Sequence, residues 1–395
     1  MLQDASAGIM SQVCQTRLIP RSHAMSDFSR RDVLKAGAAW ALSPALIAFG
    51  QGAAPKTDAK PKAPTTPAKP KADPYADAVF VKGEPERPAK GSFTIAVLPD
   101  TQHYSEKYPQ NFLAQTTWIT ENKKDRNIAA VLHLGDITNH NTPAEWENAV
   151  KAMDQLNEKL PYAMVPGNHD YSAGGGCKDR TTLLNEYFPI AKMKSLKTLD
   201  CVYDKEPDRM ENSAHLFSAG GVDFVVIGLE FGPRKDVVRW ANEVAAKHKN
   251  RAAILITHAY MYYDETRYDW KKYGTKQTWN PHNYAVAKAT DDDVSDGEEL
   301  WNNLVSKHEN FICTLNGHVL NDGLGRMSSK TPAGRDIPQM LVNFQMKPNG
   351  GDGWLRLMEF HPSNLHVKIV DYSPTRNERN ESVQNKFDLQ LAAVT

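Results

Sequence analysis

Five apolar runs in this chain, each composed like a buried strand, end in residues able to bind a metal ion. No other feature constrains the fold as much. Phe93–Leu98 leads into Pro99-Asp100 and Gln102, and Ala129–Leu134 into Gly135-Asp136. Tyr162–Val165 leads into Pro166-Gly167-Asn168-His169, Ala252–Thr257 into His258, and Phe311–Leu315 into Asn316-Gly317-His318. A sixth run, Val222–Leu229, also reads as a long apolar strand. Short continuous apolar runs suit strands covered on both faces. In α/β sheets, ligands collect just past the carboxyl ends of the strands. A single Asp or His at such a place is ordinarily a turn residue or a helix cap. Five strand ends together offer a set of hard oxygen and imidazole donors suited to divalent cations.

Helical patterns lie between these runs. Thr142-Pro143-Ala144-Glu145 is a capping box with proline at the first helical position, predicting a helix to about Asn157. Asp236–Lys247 and Asp296–Lys307 show helical periodicity. The tail predicts strands at Met340–Gln345, Trp354–Phe360 and Leu365–Asp371, the last two joined by a turn at His361-Pro362-Ser363-Asn364. The plan is α/β with two sheets, without internal repeats, in one folded unit over residues 92–395.

The N-terminal part has a different composition. Ser29-Arg30-Arg31-Asp32-Val33-Leu34-Lys35 precedes a weakly apolar Ala- and Gly-rich run to Gly50. This resembles a twin-arginine export signal. The run is shorter than the roughly 20 residues of a membrane span. Residues 1–52 are therefore expected to be a signal region, with Met25 a candidate true start. Residues 53–91, rich in Pro, Lys and Ala, are expected to be a linker. The expected location is periplasmic or extracellular, with the twin-arginine machinery as a partner and no membrane span in the mature chain. The 47 basic and 47 acidic side chains balance, which excludes a polyanion-coating protein, and no nucleic-acid-binding surface is evident. No C-x-x-C pair occurs, which argues against a thiolate zinc cluster. In an oxidising compartment, Cys177 and Cys201 are a candidate disulfide.

The ordered motifs Asp100-Thr101-Gln102, Gly135-Asp136-Ile137-Thr138-Asn139, Gly167-Asn168-His169-Asp170, His258 and Gly317-His318 resemble those of the calcineurin-like metallophosphoesterases. The resemblance covers Ser92 to about Ser373, and the Asp-Thr-Gln start is similar to an exported bacterial branch. It implies a four-layer α/β/β/α sandwich of two mixed sheets flanked by helices, with the metal site at the C-terminal ends of strands. Two divalent ions (Mn, Fe, Zn, Mg or Ca) are implied. Asp100, Gln102 and Asp136 would hold the first, and Asp136, Asn168, His258 and His318 the second. A metal-bound hydroxide would attack phosphorus while His169 protonates the leaving oxygen. Three departures stand out. Gln102 replaces a common His, Asn139 replaces the Asp that usually orients the catalytic His, and Leu320 stands where a second His would follow Gly317-His318. The first site should therefore be weaker and harder, with His103, Asn321, Asp322 or Asn343 as open substitutes for the missing ligand.

The stretch between His258 and Asp296 holds Tyr260, Tyr262, Tyr263, Tyr268, Trp270, Tyr273, Trp279 and Tyr284. It reads either as a substrate wall or as a loop packed on the sheet. Arg267 is either a phosphate clamp or an ion-pair partner. Asp291-Asp292-Asp293 reads as a solvated turn, because it lacks the ligand spacing of a calcium loop. The expected activity is hydrolysis of a phosphomonoester or phosphodiester. The alternatives are metal-dependent hydrolysis of another bond, and a catalytically weak metal- or phosphate-binding protein on the same fold.

Overall fold

Strands that are apolar on both faces need a packed layer on each side, and two facing sheets provide it. The computed structural model describes residues 75–361 and 366–392. The expected signal region and most of the expected linker lie outside them. One sheet contains β1 (Phe80–Lys82), β2 (Phe93–Leu98), β3 (Ile128–His133), β4 (Tyr162–Met164), β12 (Leu355–His361), β13 (His366–Ser373), β14 (Glu378–Asn380) and β15 (Lys386–Gln390). The other contains β5 (Leu199–Val202), β6 (Ser213–Ala219), β7 (Val222–Leu229), β8 (Ala252–Thr257), β9 (Phe311–Asn316), β10 (Leu324–Lys330) and β11 (Asp336–Val342). Their orders are β1-β14-β13-β12-β2-β3-β4, with β15 also paired to β13, and β10-β11-β9-β8-β7-β6-β5. Both sheets are mixed. β2, β3 and β4 run parallel, as do β7, β8, β9 and β11, and the flanking pairs are antiparallel.

Alternation along each strand divides its side chains between two layers. Phe93, Ile95 and Val97 of β2 meet Phe224, Val226, Ile254 and Ile256 of the second sheet in the central core. Ala96 and Leu98 face the other way, against Phe112, Trp118, Ile119, Trp146 and Ala149 of the helices Pro109–Glu121 and Pro143–Met153. Beyond the second sheet, Val225, Ile227 and Leu255 pack on Val237, Trp240 and Ala241 of the helix Lys235–Lys247. Each such buried side chain contributes about 1.5–3 kcal/mol of transfer free energy. The result is the four-layer α/β/β/α sandwich. The parallel strands β2, β3, β4, β8 and β9 all deliver their following loops to one end of it.

Several boundaries differ from expectation. The chain joins the folded body before residue 92. β1 pairs with β14, and the Tyr75 hydroxyl donates to Asp352 (2.9 Å) while Trp354 Nε1 donates to Tyr75 (2.7 Å). The linker expected through residue 91 thus ends by Tyr75, because an edge strand and two aromatic anchors outweigh its Pro-rich composition. The strand expected over Met340–Gln345 stops at Val342, where the Asn343 side chain turns to other partners. The helix opened by the Thr142 box stops at Met153. β12 and β13 pair as a hairpin, but residues 362–365 of its turn lie outside the described residues. Cys177 and Cys201 are free thiols, not a disulfide. Among the described residues no helix is long and apolar enough to cross a membrane.

Candidate metal centre

The loops after the parallel strands bring the motif residues together. His258, directly after β8, donates Nδ1–H to the Leu134 carbonyl (2.8 Å), so that in the neutral ring the lone pair is on Nε2. That Nε2 lies 3.2 Å from Asp136 Oδ2 and 3.9 Å from Asp100 Oδ1. His318 donates Nε2–H to the Trp279 carbonyl (2.8 Å), freeing Nδ1. One donor atom from each of Asp136, His258 and His318 lies within 4.8 Å of the other two. Backbone amides hold the carboxylates. His318 N–H donates to Asp100 Oδ1 (2.9 Å), and His169 N–H donates to Asp136 Oδ1 (2.9 Å).

Glycine is required beside these carboxylates. A Cβ on Gly317 would overlap Asp100 Oδ2, one on Gly167 would overlap Asp136 Oδ1, and one on Gly135 would sit 2.7 Å from His258 Nδ1. Asp136 and His318 themselves have positive φ, at 47° and 77°. Left-handed backbone at a non-glycine residue is strained, and here the hydrogen bonds just described hold it in place.

The donor set fits divalent cations on a direct observation. Asp100 Oδ2, Gln102 Oε1, Asn168 Oδ1 and His258 Nε2 are all buried without a hydrogen-bond partner. Buried polar atoms are rarely left so, and these four, drawn from three of the five motifs, are each open to a further partner such as a cation. The charge balance agrees. Burial and the neighbouring Asp136 push the Asp100 carboxyl well up. Burial works against ionised Asp136 too, but His258 and His169 outweigh it and hold that group low. Burial lowers the His318 pKa to about 3, so its imidazole is neutral, as a ligand must be. Burial opposes a charge on His258, and the Asp136 carboxylate reverses this and pushes its pKa up. The imidazolium thus occupies the electrostatic role a cation would take, with its Nε2 proton toward Asp136, and the ring must release that proton to serve as a ligand.

The supporting residues differ in part from those expected. His169 Nδ1 pairs with the main-chain carbonyl of Asn139 (2.8 Å), not with its side chain. Asn139 therefore orients His169 through an atom any residue could supply, and the amide expected to do it is engaged elsewhere. Its Oδ1 accepts from Gln102 Nε2 (3.2 Å) and its Nδ2 donates to Glu106 Oε2 (3.0 Å). Asn343, one of the open substitutes, turns Nδ2 to Asp100 Oδ1 (3.1 Å), while its Oδ1 accepts from Gln345 N (2.8 Å). It buttresses Asp100 with a donor, while its oxygen is turned to the Gln345 amide. His103 pairs with Glu106 (3.3 Å), and Asp322 Oδ1 accepts from Leu324 N (3.1 Å). Asp170 is a support the motif contained but whose role was not assigned. Its carboxylate accepts from Gly167 N (2.8 Å), Ile137 N (3.0 Å) and both Thr138 N and Oγ1 (2.8 Å each), tying two ligand loops together.

The aromatic stretch is mainly packing. Tyr260, Tyr262 and Tyr268 are buried, and the rings of Phe231, Tyr268 and Tyr284 surround His318 at centroid distances of 5.2, 6.1 and 6.1 Å. Arg267 is an ion-pair and packing residue, bonded to Glu298 (2.6 Å), Ser329 and Gln339 with its guanidinium over Trp301. A second cluster, His282, Asp296 and Glu299, is already paired internally. His282 bonds Asp292 (2.7 Å) and Glu299 (2.9 Å), and Asp296 accepts from Trp270 N and Glu299 N. It latches the aromatic stretch to the helix Gly297–Asn303.

Residues 93–295, just over half the chain, match the family model described as calcineurin-like phosphoesterase. The chain belongs to the calcineurin-like phosphoesterase family. A Bacillus subtilis (strain 168) protein named "Uncharacterized protein YvnB" is 30% identical over 323 residues, covering 77% of this chain. The chain spans only 22% of that relative's length. Among solved structures, purple acid phosphatase PPD1 from yellow lupin (Lupinus luteus) seeds aligns with TM-score 0.45 at 13% identity, over 77% of this chain and 55% of its own. A 5'-nucleotidase precursor from Thermus thermophilus aligns with TM-score 0.37 at 12% identity, over 76% and 54%.

Proposed function

We propose that this chain is an exported, metal-dependent phosphoesterase that hydrolyses a phosphomonoester or phosphodiester. The observation that carries the reading is the set of four buried, unpartnered donor atoms on Asp100, Gln102, Asn168 and His258. Asp100, Gln102 and Asp136 would hold one cation, and Asp136, Asn168, His258 and His318 a second. When bound, the cations supply charge neutralisation at the phosphoryl group and lower the pKa of water. The protein's own groups do the rest. Backbone amides of His169 and His318 hold the two carboxylates, and Asn343 adds a third donor. The Asn139 carbonyl keeps the proton on His169 Nδ1, so exchange with the leaving oxygen takes place at Nε2. Export rests on the twin-arginine pattern at Ser29–Lys35.

The test strips the protein with chelator, reloads it with Mn, Mg, Ca, Zn or Fe, and assays chromogenic phosphomono- and diesters. Turnover restored by metal and abolished in Asp136→Asn is expected. Stoichiometric metal without hydrolysis of any phosphate ester would refute the reading.

A further inference from the structure

Gln102 carries one oxygen and one NH2 group on the same flat amide, and only the oxygen can bind a cation. Which one faces the site is decided by its neighbours. Gln102 Nε2 donates to Asn139 Oδ1 (3.2 Å), and Asn139 Nδ2 donates to Glu106 Oε2 (3.0 Å). Glu106 ends this chain, and an ionised carboxylate can only accept. Burial works against its ionisation, but hydrogen bonds from Lys107 and His103 overcome this and hold its pKa below the ordinary value. The His140 ring also lies 3.3 Å from Asn139 Nδ2. It offers that atom only a lone pair, because its Nδ1 proton goes to Glu145 Oε1 (2.9 Å). Every link therefore runs in one direction. The Asn139 NH2 faces Glu106, its oxygen faces Gln102, and the Gln102 NH2 is consumed by Asn139. Gln102 Oε1 remains, buried and unpartnered.

We propose that Glu106 is a positioning residue which, through the Asn139 amide, commits Gln102 to present oxygen, and so specifies the first site for a hard divalent cation such as Mg2+, Mn2+ or Ca2+. This rests on the reading of Gln102 as a ligand. It also accounts for the two family departures together. A His at 102 would be set by any acceptor of its second N–H, whereas a Gln needs its NH2 held so that the oxygen faces the cation. Asn139 can be that partner only while something fixes its own amide.

The experiment titrates Mn2+ into chelator-stripped full-length protein, by calorimetry and by electron paramagnetic resonance of free Mn2+. Gln102→Ala identifies the binding step that belongs to the first site. Glu106→Gln keeps shape but lets the amide chain reverse, turning the Gln102 NH2 inward. It is expected to weaken the first-site step about 10–100-fold, the usual effect of losing a residue that orients a ligand, and to leave the other step unchanged. Asn139→Asp, an acceptor at both atoms, fixes Gln102 whatever stands at 106, so Glu106→Gln/Asn139→Asp should regain the first step. Three results would overturn the proposal: no change in Glu106→Gln, equal weakening of both steps, or no recovery in the double variant. Should Glu106→Gln not fold, Asn139→Leu cuts the same chain, and full first-site affinity in that variant would also overturn it. Two Mn2+ bound without any phosphoester turnover would sink the functional reading and leave the relay standing.

Discussion

Gly317→Ala tests the claim that a glycine after β9 exists to make room for a ligand carboxylate. The added Cβ would lie 3.1 Å from Asp100 Cγ and 3.4 Å from Oδ1, and would overlap Oδ2 outright. Comfortable carbon contacts begin near ~3.5 Å, so the carboxylate must retreat by about 1 Å. Asp100 is 2% exposed and its Oδ1 is held by His318 N–H and Asn343 Nδ2, so retreat breaks both bonds. Hydrogen bonds to a charged group are each worth about 1.5–3 kcal/mol. A loss of roughly 3–6 kcal/mol follows, divided between folding stability and the first cation's affinity. Gly176→Ala is the matched control, because its added Cβ meets nothing nearer than 3.6 Å. The assays are thermal unfolding of stripped protein and Mn2+ titration of each variant. Gly317→Ala should weaken first-site binding by about a hundredfold, taking ~1.4 kcal/mol per decade, or melt several degrees lower. Wild-type melting together with wild-type affinity would refute the steric argument.

Three further outcomes are expected. His169→Ala should retain its cations while losing rate by about 10²–10⁴-fold, since the amide that holds Asp136 is main chain and survives the change; elemental analysis showing metal loss would reassign the residue. His282 is buried, which disfavours its charge, but hydrogen bonds to Glu299 and Asp292 raise its pKa from 6.5 to about 9. A raised histidine pKa stabilises fully below about 6.5, and the contribution disappears as pH climbs through 9. His282→Gln should therefore lose about 1–3 kcal/mol at pH 6 and little at pH 10, after discounting for the half-exposed carboxylates, and equal losses at both pH values in urea titrations would contradict the latch. Replacing Arg30 and Arg31 by Lys should keep the protein in the cytoplasm on cell fractionation, and unchanged export would remove the twin-arginine assignment.

The parts of the site readable from sequence are those attached to a repeated physical rule. A buried parallel strand must end, its last residue must turn, and ligands collect there. That rule located Asp100, Asp136, Asn168, His258 and His318, and the structure brings their loops together. The helices Gln102–Lys107 and Pro109–Glu121 were not read, for an equally physical reason. Their buried faces include Gln102, Ser105, Asn111, Gln115 and Thr116, so no apolar period marks them. Asn343 was obscure because it acts on a ligand distant in sequence, and Glu106 because it acts through a distant residue, Asn139. Asn343 lies 243 residues from Asp100, and Glu106 lies 33 from Asn139. A hydrogen bond between polar side chains leaves no periodic trace in the sequence.

The same distinction bears on the departures from the family motif. The backbone supplies most of the orientation at this centre. Amides of His169 and His318 grip the carboxylates, and carbonyls of Leu134, Asn139 and Trp279 set the histidine tautomers. Such contacts depend on the path of the chain and survive a change of side chain. A ligand turned by side chains alone has no such protection. In the proposed reading Gln102 is that case, and its use in place of histidine depends on Asn139 and Glu106 behind it. In that reading, Asn at 139 and an acid at 106 answer one requirement, expressed at two positions.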